Sequence, residues 1–358
     1  MAEGRLIVAT RLVLCFDGTW DRPSPDADPL QRIETNVVRF YDAVPQGARD
    51  DGSAQKKWYD TGVGTRDWWD TVSGGIFGFG IDQKIREGYR FLAENYPDPD
   101  PGDHQVFILG FSRGAYEARS LVGMIRNIGL LTPDNLYRLN EAYALYRRRD
   151  ASADTDTAVA FRKKYSREIK VRFLGVWDTV GALGIPLAAM QWLNAAEYAF
   201  HDTELSGIVQ TAAHALALDE HRMDFQAALW SAEPKDGQEV EQRWFVGSHS
   251  NVGGGADDRR LSDLTLAWMQ NKAVAAGLAV DTAGIPAVAA ANQLAPIVDS
   301  YARFLGGLYA KTHPIYFRPM DLAAGSTQAL DASALGRRAT DPAYNPANAG
   351  FPAKGASS

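Results

Sequence analysis

QVFILGFSRGAYEARSLVGMIRN, running from Gln105 to Asn127, decides the fold. Gln105 to Leu109 is a short run of apolar and β-prone residues, the mark of a strand buried on both faces. Ala115 to Asn127 returns apolar residues at helical spacing. Only Gly110-Phe111-Ser112-Arg113-Gly114 lies between them, so strand and helix join with almost no linker. Gly110-x-Ser112-x-Gly114 fits a nucleophile elbow, in which a serine sits on a strained strand-to-helix turn and small residues two before and two after avoid the crowded backbone. The helix that follows directs backbone N–H groups and a partial positive charge to the place where an oxyanion would form.

Outward from that unit, strands and helices alternate without an internal repeat. Arg11 to Phe16 and Lys57 to Asp60 read as strands, Asn36 to Ala43 and Ile81 to Asn95 as helices. Asn135 to Ser166 is a polar helical region. Lys170 to Val176 is a second buried-type strand, Ile208 to Leu218 reads as helix, Arg243 to Val246 as strand and Leu261 to Ala275 as helix. Alternation of this kind predicts an α/β protein with a mostly parallel sheet flanked by helices on both faces, and the elbow makes it α/β-hydrolase-like. The expected organisation is one domain with insertions over residues 1–322, a lid candidate at 184–206, and an Ala/Gly/Ser/Pro-rich tail at 323–358, much of it without fixed structure.

The 358 residues are 46% apolar and 23% charged, which excludes disordered, collagenous and coiled-coil classes. A net charge of −7 argues against nucleic acid as a partner. Cys15 is the single cysteine, so no internal disulfide and no thiolate-rich zinc site can form. No apolar run reaches the length of a spanning helix, and Leu6 to Thr10 is cut off by Arg11 with no cleavage site, so the expectation is a cytoplasmic protein. The pattern predicts neither metal nor cofactor. Gly74, Gly75, Gly78 and Gly80 precede no Gly-Lys-Ser/Thr and miss the dinucleotide spacing.

A serine hydroxyl needs an imidazole base, and the base a carboxylate to orient it. In an α/β-hydrolase the chain order is Ser, acid, His. His249 follows a strand and precedes the glycines Gly253 to Gly255, in a loop that suits a base; His313 is the second choice. His104 precedes the serine, His214 and His221 belong to a helical reading, and His201 beside Asp202 suits a structural role. Asp178, at the carboxyl end of the strand after the nucleophile helix, is the orienting acid, with Asp202, Asp257 and Asp258 as rivals. Oxyanion donors are expected from the backbone of Arg113 and of Gly18 or Thr19 in the early loop. The apolar stretch Gly184 to Ala199, with Met190 and Trp192, reads as pocket wall or lid, or equally as a core helix. Asp17, in a strand-Asp-Gly-Thr setting, admits a rival reading as the centre of a metal or phosphoryl hydrolase. A non-catalytic scaffold that binds a partner protein is the other alternative.

Longer motifs then resemble a known family. LCFDGTW (Leu14 to Trp20), GIDQKIREGYRFLAENY (Gly80 to Tyr96), FILGFSRGAYEARSLVGMIRNIGLL (Phe107 to Leu131), FLGVWDTVGALG (Phe173 to Gly184), FHDTELS (Phe200 to Ser206), HALALDEHR (His214 to Arg222), WFVGSHSNVGGG (Trp244 to Gly255) and LSDLTLAWM (Leu261 to Met269) are similar to the DUF2235 family of α/β-hydrolases. Its best-known members are the Tle1-type phospholipase effectors of type VI secretion. The resemblance implies a serine hydrolase that cleaves carboxylic esters, phospholipid acyl esters above all, and it maps Ser112, Asp178 and His249 to nucleophile, acid and base. It also implies peripheral membrane contact, an immunity or chaperone partner, and export without a signal peptide. The segment departs from the family pattern at Asn251, where an aspartate is common.

Overall fold

The computed structural model describes residues 9–18, 34–49, 52–61, 76–97, 104–148, 150, 152–180, 204–230 and 233–351. Eight strands form one sheet: β1 (Thr10–Phe16), β2 (Gly47–Ala48), β3 (Ala54–Asp60), β4 (Gln105–Phe111), β7 (Val171–Trp177), β8 (Val209–Ala217), β9 (Glu239–Phe245) and β10 (Gln328–Leu330). Their order is β10-β9-β8-β7-β4-β1-β3-β2. Every pairing is parallel except β2 with β3 at one edge. A two-stranded ladder of β5 (Leu130–Leu131) and β6 (Ser166–Arg167) stands apart.

The helices are α1 (Asn36–Ala43), α2 (Ile76–Asn95), α3 (Arg113–Ile128), α4 (Leu139–Arg147), α5 (Asp156–Tyr165), α6 (His249–Gly253), α7 (Arg260–Ala275), α8 (Ser300–Arg303), α9 (Leu308–Thr312) and α10 (Ala332–Thr340). Strand periodicity divides them between two cores. Leu12, Leu14 and Phe16 of β1 pack with Ile85 of α2, Leu121 of α3 and Phe161 of α5. Val13 and Cys15 turn to the opposite face, where Val37 and Phe40 of α1 and Leu266 and Met269 of α7 cover them. Burial on both faces is why β1, β4 and β7 read as unbroken apolar runs. No helix among the described residues is long and apolar enough to cross a membrane.

Two expectations are corrected. Residues 208–218 are not helical: Val209–Ala217 is central strand β8, paired with β7 and β9. Its alanines favour helix by propensity, yet small residues here let Ala213, Ala215 and Ala217 sit under Phe245 and Met269, and packing overrides propensity. The stretch after Ala323 is not a loose tail over its described part. Gln328–Leu330 adds an edge strand along β9, α10 follows, and Tyr344 and Ala349 enter a third apolar cluster with Leu218 and Val246.

β1 lies between β3 and β4, so the strand order reverses at the β1–β4 boundary. The carboxyl ends of the strands at such a reversal frame a crevice. Here those ends deliver Asp17 and Gly18 on one side and Ser112 on the other.

Candidate active site

Ser112 follows β4 directly and precedes the first residue of α3. Its backbone has φ 57° and ψ −118°, a conformation that L residues rarely hold. The elbow glycines are explained by contact. A Cβ on Gly110 would strike the Gly114 carbonyl, and one on Gly114 would strike the Phe16 carbonyl of the neighbouring strand. Asp178, one residue past β7, has φ 39°. Ser112 and Asp178 are thus two of the three non-glycine residues with positive φ among those described, the third being Leu305. Their backbones are tied in place: Ser112 N–H donates to Trp177 O at 3.1 Å, and Asp178 N–H to Ala215 O at 2.7 Å.

His249 opens the short helix α6 rather than lying in a loop. Gly247, at φ +117°, makes the turn out of β9, and its N–H donates to Asp219 Oδ2 at 2.7 Å. Ser248 caps the helix, donating its N–H to Asn251 Oδ1 at 3.2 Å. The same oxygen accepts from Val298 N at 2.9 Å, so the Asn251 amide ties α6 to the chain before α8.

These strand ends bring Ser112, His249 and Asp178 together. Ser112 Oγ is 2.9 Å from His249 Nε2, and His249 Nδ1 is 2.6 Å from Asp178 Oδ2. All three are buried. The imidazole lies between Phe111 and Phe225, with ring centroids 4.6 and 5.3 Å away. Asp178 also accepts from Ala217 N at 3.0 Å and from the fork of Arg318, Nη1 to Oδ1 at 2.6 Å and Nη2 to Oδ2 at 3.1 Å. Burial would raise this carboxyl, but the Arg318 guanidinium, with His249 adding to it, holds it well below the usual carboxylate range.

Around this line runs a pocket of about 350 Å³ whose walls include Gly18, Phe111, Phe225, Ser250, Ser300, Arg303 and Phe304. Arg222 also lines it, stacked 3.4 Å above the Phe225 ring centroid. Glu220 anchors the wall from beneath. It accepts from Arg222 Nε at 2.8 Å and Nη2 at 2.9 Å, from Ser300 Oγ at 2.9 Å and from His249 N at 3.3 Å.

The other sequence candidates fall elsewhere. His313 stacks flat on Tyr309, centroids 4.1 Å apart, at the end of α9. His214 lies in β8, where its Nε2 accepts from Thr179 N, and burial pushes it down to about 3, so it is neutral. His221 contacts Tyr316 O and His104 accepts from Thr10 N. Asp258 pairs with Arg260 at the surface, and the carboxylate on His249 Nδ1 is that of Asp178 rather than Asp257. Asp17 is buried and fully engaged, Oδ1 by Gly18 N and Oδ2 by Thr35 Oγ1 and Tyr59 OH, so it braces its loop instead of opening onto the pocket. Burial raises it to about 6 against those bonds. Of the alternative loop donors, Gly18 or Thr19, the Gly18 N–H is committed to Asp17 Oδ1. Thr19, Met190, Trp192, His201, Asp202 and most of the lid candidate at 184–206 lie outside the described residues. Arg113 opens α3, whose amino-terminal pole faces Ser112.

Arg318, Glu220 and the 300–304 segment were not legible as site residues. Glu220-x-Arg222 stands inside a family motif, which is a weak signal; Arg318 stands in none.

A curated yeast relative, uncharacterized protein YEL023C of Saccharomyces cerevisiae, is 30% identical over 246 residues, 62% of this chain and 33% of its own length. An uncharacterized Pseudomonas aeruginosa protein of known structure is 18% identical, with a TM-score of 0.47 over 86% of this chain and 56% of that one. The Tle1 effector solved on the VgrG spike of a type VI secretion system is 21% identical, with a TM-score of 0.39 over 69% of this chain and 51% of that one. The chain thus spans a third of the yeast relative and about half of the solved ones. Residues 10–272, which carry the elbow, Asp178 and His249, match the model of the Tle1-like type VI secretion phospholipase effector catalytic domain, and the chain belongs to that family.

Proposed function

We propose that the protein is a serine esterase that hydrolyses lipid acyl esters, phospholipids in particular, through an acyl-enzyme. The observation that carries this reading is the unbroken line Ser112 Oγ–His249 Nε2–Asp178 at 2.9 and 2.6 Å on the floor of the pocket. Ser112 Oγ attacks the ester carbonyl as His249 Nε2 takes its proton. Asp178 holds Nδ1–H, fixing the tautomer that leaves Nε2 free to accept, and stabilises the imidazolium that forms. The backbone N–H of Arg113 receives the oxyanion. Collapse expels the alkoxide, which takes the proton back from His249. Water then repeats the sequence in reverse on the acyl-Ser112 ester and frees the acid.

Phe111, Phe225 and Phe304 suit an acyl chain, and the exposed Arg303 at the pocket wall suits a phosphate beyond the scissile ester. With family membership, this supports phospholipase A chemistry and delivery by type VI secretion, an immunity protein in the producing cell being the matching expectation.

Fluorophosphonate labelling tests the chemistry. Wild type should label, Ser112→Ala should not, and His249→Ala should label far more slowly; an ordered wild-type protein that fails to label overturns the reading. Vesicles of defined phospholipids, scored for fatty acid released from sn-1 and sn-2, test the substrate class.

A further inference from the structure

Asp178 lies at 0% exposure, at the end of a strand, between a histidine and an arginine. A buried carboxylate beside a neutral imidazole is costly to ionise, and if protonated it could not serve as the acceptor that fixes Nδ1–H. Its two oxygens accept four hydrogen bonds. Two come from Arg318, one from Ala217 N and one from His249 Nδ1. Arg318 is itself 1% exposed, and its Nη atoms also donate to the carbonyls of Ala217 at 3.0 Å and Phe225 at 2.5 Å. The guanidinium is thus clamped to the end of β8 and to the residue that forms one wall beside His249. Asn348 Nδ2 in turn holds the Arg318 carbonyl at 3.0 Å.

A bidentate fork fixes a plane as well as a charge. With Nη1 on Oδ1 and Nη2 on Oδ2, the carboxylate cannot rotate about its χ2 axis without breaking both bonds. Oδ2 is therefore presented to Nδ1 before substrate arrives. A lysine would supply the charge but not the plane.

We propose that Arg318 is a positioning residue for the reaction, holding Asp178 ionised and in the one orientation that seats His249 for proton transfer from Ser112. The proposal rests on the serine esterase reading above. Arg318 touches no reacting atom; it acts through Asp178.

The test uses the full chain and a soluble ester, p-nitrophenyl butyrate, with near-ultraviolet circular dichroism on every variant. Arg318→Met should keep its fold and KM while kcat falls about 10²-fold, a part of the roughly 10⁴ that changing the acid to its amide costs in a serine triad. Arg318→Lys should recover only some of that loss. In an Asp178→Asn background, Arg318→Met should cost almost nothing further, because residues that act as one unit are not additive. The low-field proton resonance of His249 Nδ1–H should shift in Arg318→Met and partly return in Arg318→Lys. A folded Arg318→Met with wild-type kcat overturns the proposal, as does a loss of equal size in the Asn background. Should Arg318→Met not fold, Arg318→Lys decides alone: lower kcat at unchanged KM supports the role, and unchanged kcat refutes it. Failure of the esterase reading looks different: either the wild type hydrolyses no ester, or Ser112→Ala hydrolyses it as fast as the wild type.

Discussion

Replacing Glu220 by glutamine removes one charge from beneath the pocket and leaves the volume unchanged. Glu220 is fully buried, and burial would raise its carboxyl; Arg222, bonded through Nε and Nη2, instead holds it down to about 2, against 4.5 for a free glutamate. At 1.36 kcal/mol per decade this is worth about 3 kcal/mol at neutral pH. Because the folded value is depressed, the contribution is complete above the unfolded value and is lost as pH falls through about 2. The wild-type advantage over Glu220→Gln should therefore be about 3 kcal/mol at pH 7 and about 1 kcal/mol at pH 3. Asp17 has the opposite sign, a penalty present above about 6 that eases below it, but it is common to both proteins and cancels in the difference. Urea unfolding at the two pH values measures the effect. A difference below about 1 kcal/mol at pH 7, or one that does not shrink with acid, would refute this account of Glu220, since breaking a buried pair from one side commonly costs 3–5 kcal/mol.

Further outcomes are expected at the pocket and the elbow. Asp178→Asn should cut kcat on a soluble ester about 10⁴-fold. An amide satisfies the Ala217 N–H and Arg318 Nη1 only with its oxygen at the Oδ1 position. Its NH₂ then faces His249 and selects the wrong tautomer; activity within tenfold of wild type would contradict this. Gly114→Ala drives a methyl into the Phe16 carbonyl, so a loss of about 1–3 kcal/mol and of fluorophosphonate labelling is expected; a variant with unchanged stability would show that the elbow has slack. Arg303→Glu should raise KM for anionic phospholipid vesicles while leaving a neutral soluble ester unaffected, and equal effects on both would remove Arg303 from headgroup recognition.

How much could be read beforehand follows from where each signal resides. β1, β4, α3 and β7 are legible because a strand buried on both faces leaves a contiguous apolar run. The elbow is legible because sterics demand glycine at 110 and 114. β8 is not, since an alanine-rich segment carries helical propensity while its strand identity comes from neighbours at β7 and β9. His249 is legible as a residue while its helix is not, because the five-residue α6 is too short to show a period. Arg318 meets Asp178 across 140 residues of chain, with no local pattern to announce it. Gly18 was a reasonable oxyanion donor until the carboxylate beside it claimed its N–H.

The Arg318–Asp178 clamp also bears on where this molecule can be cut. The family match ends at residue 272, yet the arginine beside Asp178 lies 46 positions beyond it (318 − 272), steadied by Asn348. A fragment trimmed to the homologous segment would carry a buried carboxylate stripped of its counter-charge, and a sheet missing its β10 edge. The segment that completes this site is therefore longer than the recognisable one, and expression boundaries drawn by sequence likeness alone would sever the two halves of a single electrostatic joint.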